Sequence, residues 1–296
     1  ALIRGFGINK FRGDPTLFAD GMTIIQNATN WTPLGIIPWF ADAWKLPAED
    51  VMDVASSKGG PIKIAVPRLN RIANFDDLDP LSATPEVSVE IIEAGRPLPG
   101  DADLVLIPGS KSTIADLAHF RAQGWDIDLA AHVRRGGRVL GICGGYQMLG
   151  KRIIDDDGIE GAPARVDGLG LLDIETVMKP QKRLSQSTAT YVPTGDIVTG
   201  YEIHIGETSG PDCNRAWLSL DGRGEGAASA DGRVMGCYLH GLFSADAFRA
   251  AFLAQLDVSL PLTNYTQGVE DTLDALADHL ETHMDIDALL GLAGPV

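Results

Sequence analysis

The chain has 296 residues, of which 45% are hydrophobic, and its formal net charge is −16. That charge argues against a nucleic-acid partner, because phosphate binding requires clustered lysine and arginine, and no apolar run reaches the roughly 18 residues of a membrane-spanning helix. Three cysteines without metal-ligand spacing indicate a reducing compartment, so we expect a cytoplasmic protein without a metal site or a membrane segment.

The first 58 residues are predicted to form the end of an α/β domain. The predicted elements are strands at 2–9 and 34–37 and a helix at 14–28. An aspartate at the cap position of this helix, followed by proline, favours its start. The stretch 55–60 (Ala-Ser-Ser-Lys-Gly-Gly) has the small, flexible composition of a linker, so we expect a domain over 1–58 and a second one over 61–296.

In the second segment, predicted strands alternate with helices. Strands are expected at 62–66, 87–92, 103–107 and 138–142, and helices at 112–123 and 127–135, with a short one from 75. Further strands are expected at 166–176, 188–191, 197–203 and 234–238, followed by helices at 245–256, 272–283 and 287–290. This alternation predicts the α/β fold class, with an open, mostly parallel sheet flanked by helices.

Cys143 follows the strand predicted at 138–142 and has glycines at positions 141, 144 and 145 around it. The pattern predicts a strand, a tight turn and a helix, which in hydrolases places a nucleophile in a strained, exposed position. The N–H groups and the positive dipole at the helix start stabilise a thiolate and a developing oxyanion. A cysteine that only fills the core is the alternative at this point.

Two other stretches match the needs of a cysteine nucleophile. The buried strand at 103–107 is followed by a loop of small residues, in which Gly109 is expected to supply an oxyanion N–H. Downstream, the strand at 234–238 leads directly to His240. Because a cysteine nucleophile needs a base within hydrogen-bond reach, His240 is the candidate base.

Cys143 in GICGGYQMLG, the PGSKST loop and YLHGLF resemble the class I, triad-type glutamine amidotransferases, and more narrowly the cobyric acid synthase branch of corrin amidation. Three further stretches match that branch: RLNRIANFDDLDPL (68–81), GLGLL (168–172) and GYEIHIGET (200–208). The resemblance covers nearly the whole chain, and the order of the motifs makes it specific. It implies a class I amidotransferase-like fold for the second segment.

This resemblance implies a set of site residues. Cys143 attacks the side-chain amide of glutamine and forms a glutamyl thioester, with His240 as the base. The backbone N–H groups of Gly109 and Gly144 hold the oxyanion, and Gln147 helps to seat glutamine. The resemblance implies no cofactor for this glutaminase site.

For an intact parent enzyme, the resemblance implies ATP and Mg²⁺ as cofactors and a corrin substrate, cobyrinic acid a,c-diamide, bound through a synthetase domain. Residues 1–58 resemble the last part of such a dethiobiotin-synthetase-like ATP-binding domain. The phosphate-binding pattern Gly-x-x-x-x-Gly-Lys-Ser/Thr does not occur in the sequence. We therefore expect the chain to begin inside the synthetase domain and to lack a complete ATP site.

One position departs from most triad amidotransferases, in which a glutamate two residues after the histidine orients the imidazole. Leu242 stands there after His240, as is common in the cobyric acid synthase branch. The orienting group is therefore open, with Glu202 and Glu175 as candidates from elsewhere in the chain. His204 is the alternative base, although its strand position favours a pocket wall or an interdomain contact.

Three other functions compete with a cobyric acid synthase glutaminase. They are a catalytically silent docking domain of the same fold, a cysteine–histidine peptidase, and the glutaminase domain of cobyrinic acid a,c-diamide synthase. The presence of Cys143, His240 and both oxyanion loops argues against a silent domain, and the stretch 68–81 favours cobyric acid synthase over the other two enzymes. The oligomeric state is left open.

Overall fold

The structure, a computed structural model, describes residues 2–47, 56–57, 59–256 and 263–293. Contacts within the chain divide it into two units: Ala1–Pro47 together with Thr266–Val296, and Ala48–Tyr265. Residues 55 and 58 of the predicted linker lie outside the described residues.

Both helices and strands occur in the two units. The helices are α1 (Ala19–Thr29), α2 (Asp79–Ser82), α3 (Thr113–Ala122), α4 (Trp125–Arg134), α5 (Gly144–Leu149), α6 (Asp246–Ala254), α7 (Tyr265–His283) and α8 (Ile286–Ala293). The strands are β1 (Gly5–Phe11), β2 (Thr32–Pro38), β3 (Ile62–Pro67), β4 (Ile72–Ala73), β5 (Val87–Ile92), β6 (Leu104–Ile107), β7 (Gly109–Ser110), β8 (Arg138–Ile142), β9 (Arg152–Asp155), β10 (Ala164–Asp167), β11 (Glu175–Val177), β12 (Arg183–Tyr191), β13 (Ile197–His204), β14 (Glu207–Ser209), β15 (Leu218–Leu220), β16 (Arg223–Glu225), β17 (Ala227–Ala228), β18 (Val234–Cys237) and β19 (Leu239–His240). Among the described helices, none has both the length and the apolar composition that crossing a bilayer requires.

In the N-terminal unit, β1 and β2 form a parallel pair connected through α1. The C-terminal helices belong to this unit as well. The Asp285 N–H donates to the Leu34 carbonyl oxygen (2.7 Å), and His279 Nε2 lies 3.0 Å from the Pro38 carbonyl oxygen. We predicted these helices in the second domain, whereas their hydrogen bonds to β2 group them with the first segment.

A six-stranded sheet forms the centre of the second unit, in the order β17-β18-β8-β6-β3-β5. All of its strands are parallel except the edge strand β17. Successive side chains of one strand point to opposite faces of the sheet and enter different hydrophobic clusters, as Leu106 and Ile107 of β6 do. This confirms the predicted α/β class with a mostly parallel sheet. Cys143 follows the inner strand β8, at the carboxyl edge where open α/β sheets bind ligands.

Besides the two-stranded sheet β4-β7, two larger sheets lie in the second unit, and the sequence did not distinguish them from the parallel sheet. One is fully antiparallel, in the order β16-β15-β12-β13-β19, and the other is mixed, in the order β10-β9-β11-β14. The prediction of a single strand over 166–176 is wrong, because a glycine-containing turn separates β10 from β11. There the Leu169 N–H donates to the Met148 carbonyl oxygen (2.7 Å), which turns the chain back towards α5.

Candidate active site

Cys143 lies on a strained turn between β8 and α5, with φ +52° and ψ −109°. A positive φ is rare for a residue other than glycine, and such strain clusters at functional sites. The turn also requires glycine at its neighbours: a Cβ atom on Gly145 would lie 2.1 Å from the Ile107 carbonyl oxygen, and one on Gly144 would lie 2.8 Å from the Ser110 nitrogen. The sequence pattern around Cys143 is therefore a steric requirement of this turn.

The thiol of Cys143 is directed towards β13, where Sγ donates to the Ile203 carbonyl oxygen (3.4 Å). The two other cysteines are predicted to be structural, and their positions differ from that of Cys143. Cys237 is completely buried in β18, and Cys213 Sγ lies 3.8 Å from the Tyr146 hydroxyl oxygen. Burial raises the pKa of both the Cys213 and the Cys237 thiols, so these cysteines are poor nucleophiles at neutral pH.

His240 in β19 is paired with a carboxylate that the sequence analysis did not select. Its Nδ1 lies 2.7 Å from Oδ2 of Asp77, and both side chains are buried. The other carboxylate oxygen, Oδ1, accepts the Gly241 N–H at 2.7 Å, which fixes the carboxylate relative to β19. Nε2 of His240 is buried and forms no hydrogen bond within the described residues. Because Nδ1 is occupied by Asp77, Nε2 is the ring nitrogen available to interact with Cys143.

The carboxylate controls the charge of the histidine. Burial by itself lowers the pKa of His240, but the charge of Asp77 and its hydrogen bond to Nδ1, with the nearby Cys143 side chain, raise the pKa to about 10. His240 is therefore an imidazolium at neutral pH. A cationic imidazole next to a cysteine stabilises the thiolate, which is the reactive form.

This pKa predicts how stability depends on pH. Because the pKa of His240 is raised from 6.5 to about 10 on folding, its contribution to stability is fully present below pH 6.5 and is lost as the pH rises through 10. We expect the difference in urea midpoint between the wild type and His240→Gln to be largest at pH 6 and to shrink steadily towards pH 10. A difference that does not change with pH would contradict the assigned ion pair.

Neither of the glutamates proposed as the orienting acid occupies that position. Glu202 is buried, but it is bound by Arg183 (3.0 Å) in the adjacent strand β12. Glu175 is exposed on β11 and lies 3.6 Å from Arg152. The available signal for Asp77 was its place in the stretch 68–81, which the resemblance singled out without assigning it a chemical role.

Two backbone segments that are candidates for the oxyanion site converge on Cys143 and His240. Gly144 begins α5, and Gly109 lies in β7, paired in register with Ala73. A Cβ atom on Gly109 would lie 3.3 Å from Cε1 of His240, and the Ser110 nitrogen faces Gly144. The PGSKST loop therefore lies against the His240 ring and the first residue of α5, and the role of its N–H groups as oxyanion donors stays a prediction.

Gln147 was expected to help seat glutamine. Its side chain is buried and contacts three protein groups: Oε1 accepts the Thr113 hydroxyl (2.9 Å), and Nε2 donates to the Ile205 carbonyl oxygen (2.9 Å) and the Tyr238 hydroxyl oxygen (3.2 Å). These contacts connect α5 with the start of α3, the residue after β13 and the residue between β18 and β19. In this arrangement Gln147 holds the wall of the site together, and its contact with glutamine stays a prediction.

His204, the alternative base, lies at the end of β13 and is stacked on the Tyr238 ring with centroids 3.8 Å apart. Its Nδ1 lies 3.2 Å from the Gly206 carbonyl oxygen, and Nε2 lies 3.8 Å from Glu202. Burial lowers the pKa of His204, which opposes a cationic form. Its surroundings agree with a wall residue. Among the described residues, no cluster of three or more His, Cys, Asp and Glu side chains is arranged to hold a metal ion.

Comparison with known proteins shows the family to which this chain belongs. The sequence profile of the CobB/CobQ-like glutamine amidotransferase domain matches residues 63–248, which contain Cys143, His240 and Asp77. The chain therefore belongs to the CobB/CobQ-like glutamine amidotransferase family. A solved structure of PurLQS from Thermotoga maritima matches with a TM-score of 0.46 at 16% identity, over 72% of this chain and 99% of that one. At that score the match adds nothing to the assignment.

Curated relatives match along nearly the whole chain and carry the name cobyric acid synthase. The protein of Ruegeria sp. (strain TM1040) is 62% identical over 100% of this chain and 61% of its own length. A protein of Rhodobacter capsulatus is 58% identical over 99% of this chain and 61% of its own length. The chain thus spans about three fifths of the length of these relatives.

Proposed function

We propose that the chain is the glutaminase part of a cobyric acid synthase, hydrolysing glutamine at Cys143 and supplying the ammonia for an amidation. The observation that carries this proposal is the buried Asp77–His240 pair beside a cysteine on a strained turn. A cysteine that only fills the core needs neither feature. A buried ion pair is costly to desolvate, so it is weak as a device for stability and better explained by chemistry.

In the first half of the reaction, the Cys143 thiolate attacks the side-chain carbonyl carbon of glutamine. The oxyanion is held by the Gly144 N–H and by a second N–H from the Gly109–Ser110 segment. The proton on Nε2 of His240 passes to the departing nitrogen, so the carbon–nitrogen bond breaks and ammonia leaves. A glutamyl thioester and a neutral imidazole remain.

Water completes the cycle in the second half. Neutral His240 takes a proton from water through Nε2, and the resulting hydroxide attacks the thioester carbonyl. The bond to Sγ then breaks, which releases glutamate and restores the thiolate and the imidazolium. Asp77 keeps the proton on Nδ1 in both halves, so Nε2 is always the nitrogen that exchanges a proton with the reactants.

The relatives named cobyric acid synthase suggest what the ammonia is used for. We infer that it amidates carboxylates of cobyrinic acid a,c-diamide, activated with ATP and Mg²⁺ in the longer parent enzyme. The 296 residues contain no Gly-x-x-x-x-Gly-Lys-Ser/Thr phosphate loop, so the residues present do not fit the triphosphate of ATP. Ammonia would be protonated and diluted in bulk water, so efficient transfer requires a protected path.

The direct test is ammonia release from glutamine by the purified chain, with and without a supplied synthetase domain. We expect glutamate and ammonia in equal amounts, with a low rate for the chain alone. Failure to release ammonia under either condition, with Cys143 shown to be reduced and the protein folded, would refute the glutaminase assignment.

A further inference from the structure

Tyr201 of β13 lies directly against the imidazole of His240. The two residues are paired in register across β13 and β19, and their rings are stacked with centroids 5.2 Å apart and planes at 18°. Residues opposite each other in an antiparallel pair share one face of the sheet, so the stack follows from the strand register. Tyr201 belongs to the stretch 200–208, which the resemblance singled out without giving it a chemical role.

The hydroxyl of Tyr201 is held at two points by a single turn of chain. Oη accepts a hydrogen bond from Asn74 Nδ2 (2.8 Å) and donates one to Asp76 Oδ2 (3.2 Å). Asn74 has φ +53° and precedes the 3₁₀ turn Phe75–Leu78, which carries Asp76 and Asp77. Burial raises the pKa of Tyr201, so the hydroxyl remains a donor at neutral pH. The same turn therefore binds the Tyr201 hydroxyl through Asn74 and Asp76 and the imidazole of His240 through Asp77.

These contacts restrict the imidazole in two different directions. The hydrogen bond that Nδ1 donates to Asp77 fixes the position of that edge of the ring. A single hydrogen bond at one edge opposes tilting of the ring plane only weakly. The flat face of Tyr201 opposes this tilt, and an aromatic face also favours the cationic form of a ring stacked on it.

We propose that Tyr201, held by Asn74 and Asp76, is a positioning residue that keeps Nε2 of His240 directed at Cys143. This proposal rests on the glutaminase function proposed above. Tyr201 acts through His240. This role would give the stretches 68–81 and 200–208 a shared chemical task, because Asn74, Asp76 and Tyr201 belong to them. The order of importance follows from the geometry: the ring itself comes first, and the hydroxyl matters because it holds the ring in place.

Two substitutions separate the ring from its hydroxyl. Tyr201→Leu removes the stacked face, and we expect kcat to fall by about 10- to 100-fold with KM nearly unchanged, because a misplaced base costs rate rather than binding. Tyr201→Phe keeps the face and loses both hydrogen bonds, and we expect a smaller fall of about 3- to 10-fold. The matched control is Tyr191→Phe. Tyr191 lies in β12 of the same sheet, and its hydroxyl accepts a hydrogen bond from Gln255. Losing this hydroxyl should leave kcat as in the wild type.

A second readout does not depend on glutamine turnover. The rate at which iodoacetamide alkylates Cys143, followed peptide by peptide against pH, reports how well the imidazolium stabilises the thiolate. In folded Tyr201→Leu we expect this rate at pH 7 to fall by about 10-fold, whereas Tyr191→Phe should keep the wild-type profile. If wild-type protein shows the profile but releases no ammonia, the proposed function fails while the positioning role stands.

Two results would overturn the positioning role. One is a Tyr201→Leu protein whose kcat and alkylation profile both stay within twofold of the wild type. The other is a rise in KM at constant kcat, which would make Tyr201 a substrate-binding residue.

Discussion

Replacing Cys143 with serine is expected to lower glutamine-dependent ammonia release by at least about 10³-fold, because the hydroxyl of serine is a far weaker nucleophile than a thiolate. Serine is nearly isosteric with cysteine, so the strained turn at φ +52° should form as before. Ammonia release measured by a coupled dehydrogenase assay, with thermal unfolding as the check on folding, tests this expectation.

A glutamine-like electrophile provides the matching positive result. We expect it to modify Cys143 and to spare Cys213 and Cys237, because burial raises the pKa of those two thiols. Peptide mapping distinguishes the three cysteines. An adduct on Cys237 instead, or full activity in Cys143→Ser, would remove Cys143 as the nucleophile.

Asp77→Asn is expected to lower kcat by about 10²- to 10⁴-fold, since an amide no longer fixes the proton on Nδ1 or stabilises the imidazolium. Asparagine has a similar shape but offers one acceptor oxygen to the two N–H donors that Asp77 accepts, so either the Nδ1 proton of His240 or the Gly241 N–H loses its partner. The loss should appear in kcat more than in KM. The pH dependence should change with it, because Asp77 raises the pKa of His240. Steady-state kinetics from pH 6 to 10 measure both effects.

Glu175→Gln is the matched control for this experiment. Glu175 was a candidate for the orienting acid, but it is exposed on β11 beside Arg152, so its amide variant should keep wild-type kinetics. Equal losses in Asp77→Asn and Glu175→Gln would show that the effect is one of net charge. A wild-type kcat in folded Asp77→Asn would mean that another group orients His240.

Local patterns in the sequence determined the fold class and the turn that carries Cys143. The alternation of apolar strands with helices predicts a mostly parallel sheet, and the observed β5 and β8 match the predicted 87–92 and 138–142. Glycine at 144 and 145 predicts the tight turn, because any Cβ atom there meets the neighbouring backbone. These features depend on residues close together in the chain, which is why composition and spacing reveal them.

The tertiary structure alone decided which acid orients His240. Asp77 lies 163 positions away in the sequence, and it reaches the histidine because β4 pairs with β7, which brings the turn Phe75–Leu78 to the site. The C-terminal helices were misplaced for the same kind of reason, since their partners lie in β2. Spacing along the chain carries no information on such contacts, because a carboxylate acts through its distance and burial in the folded protein.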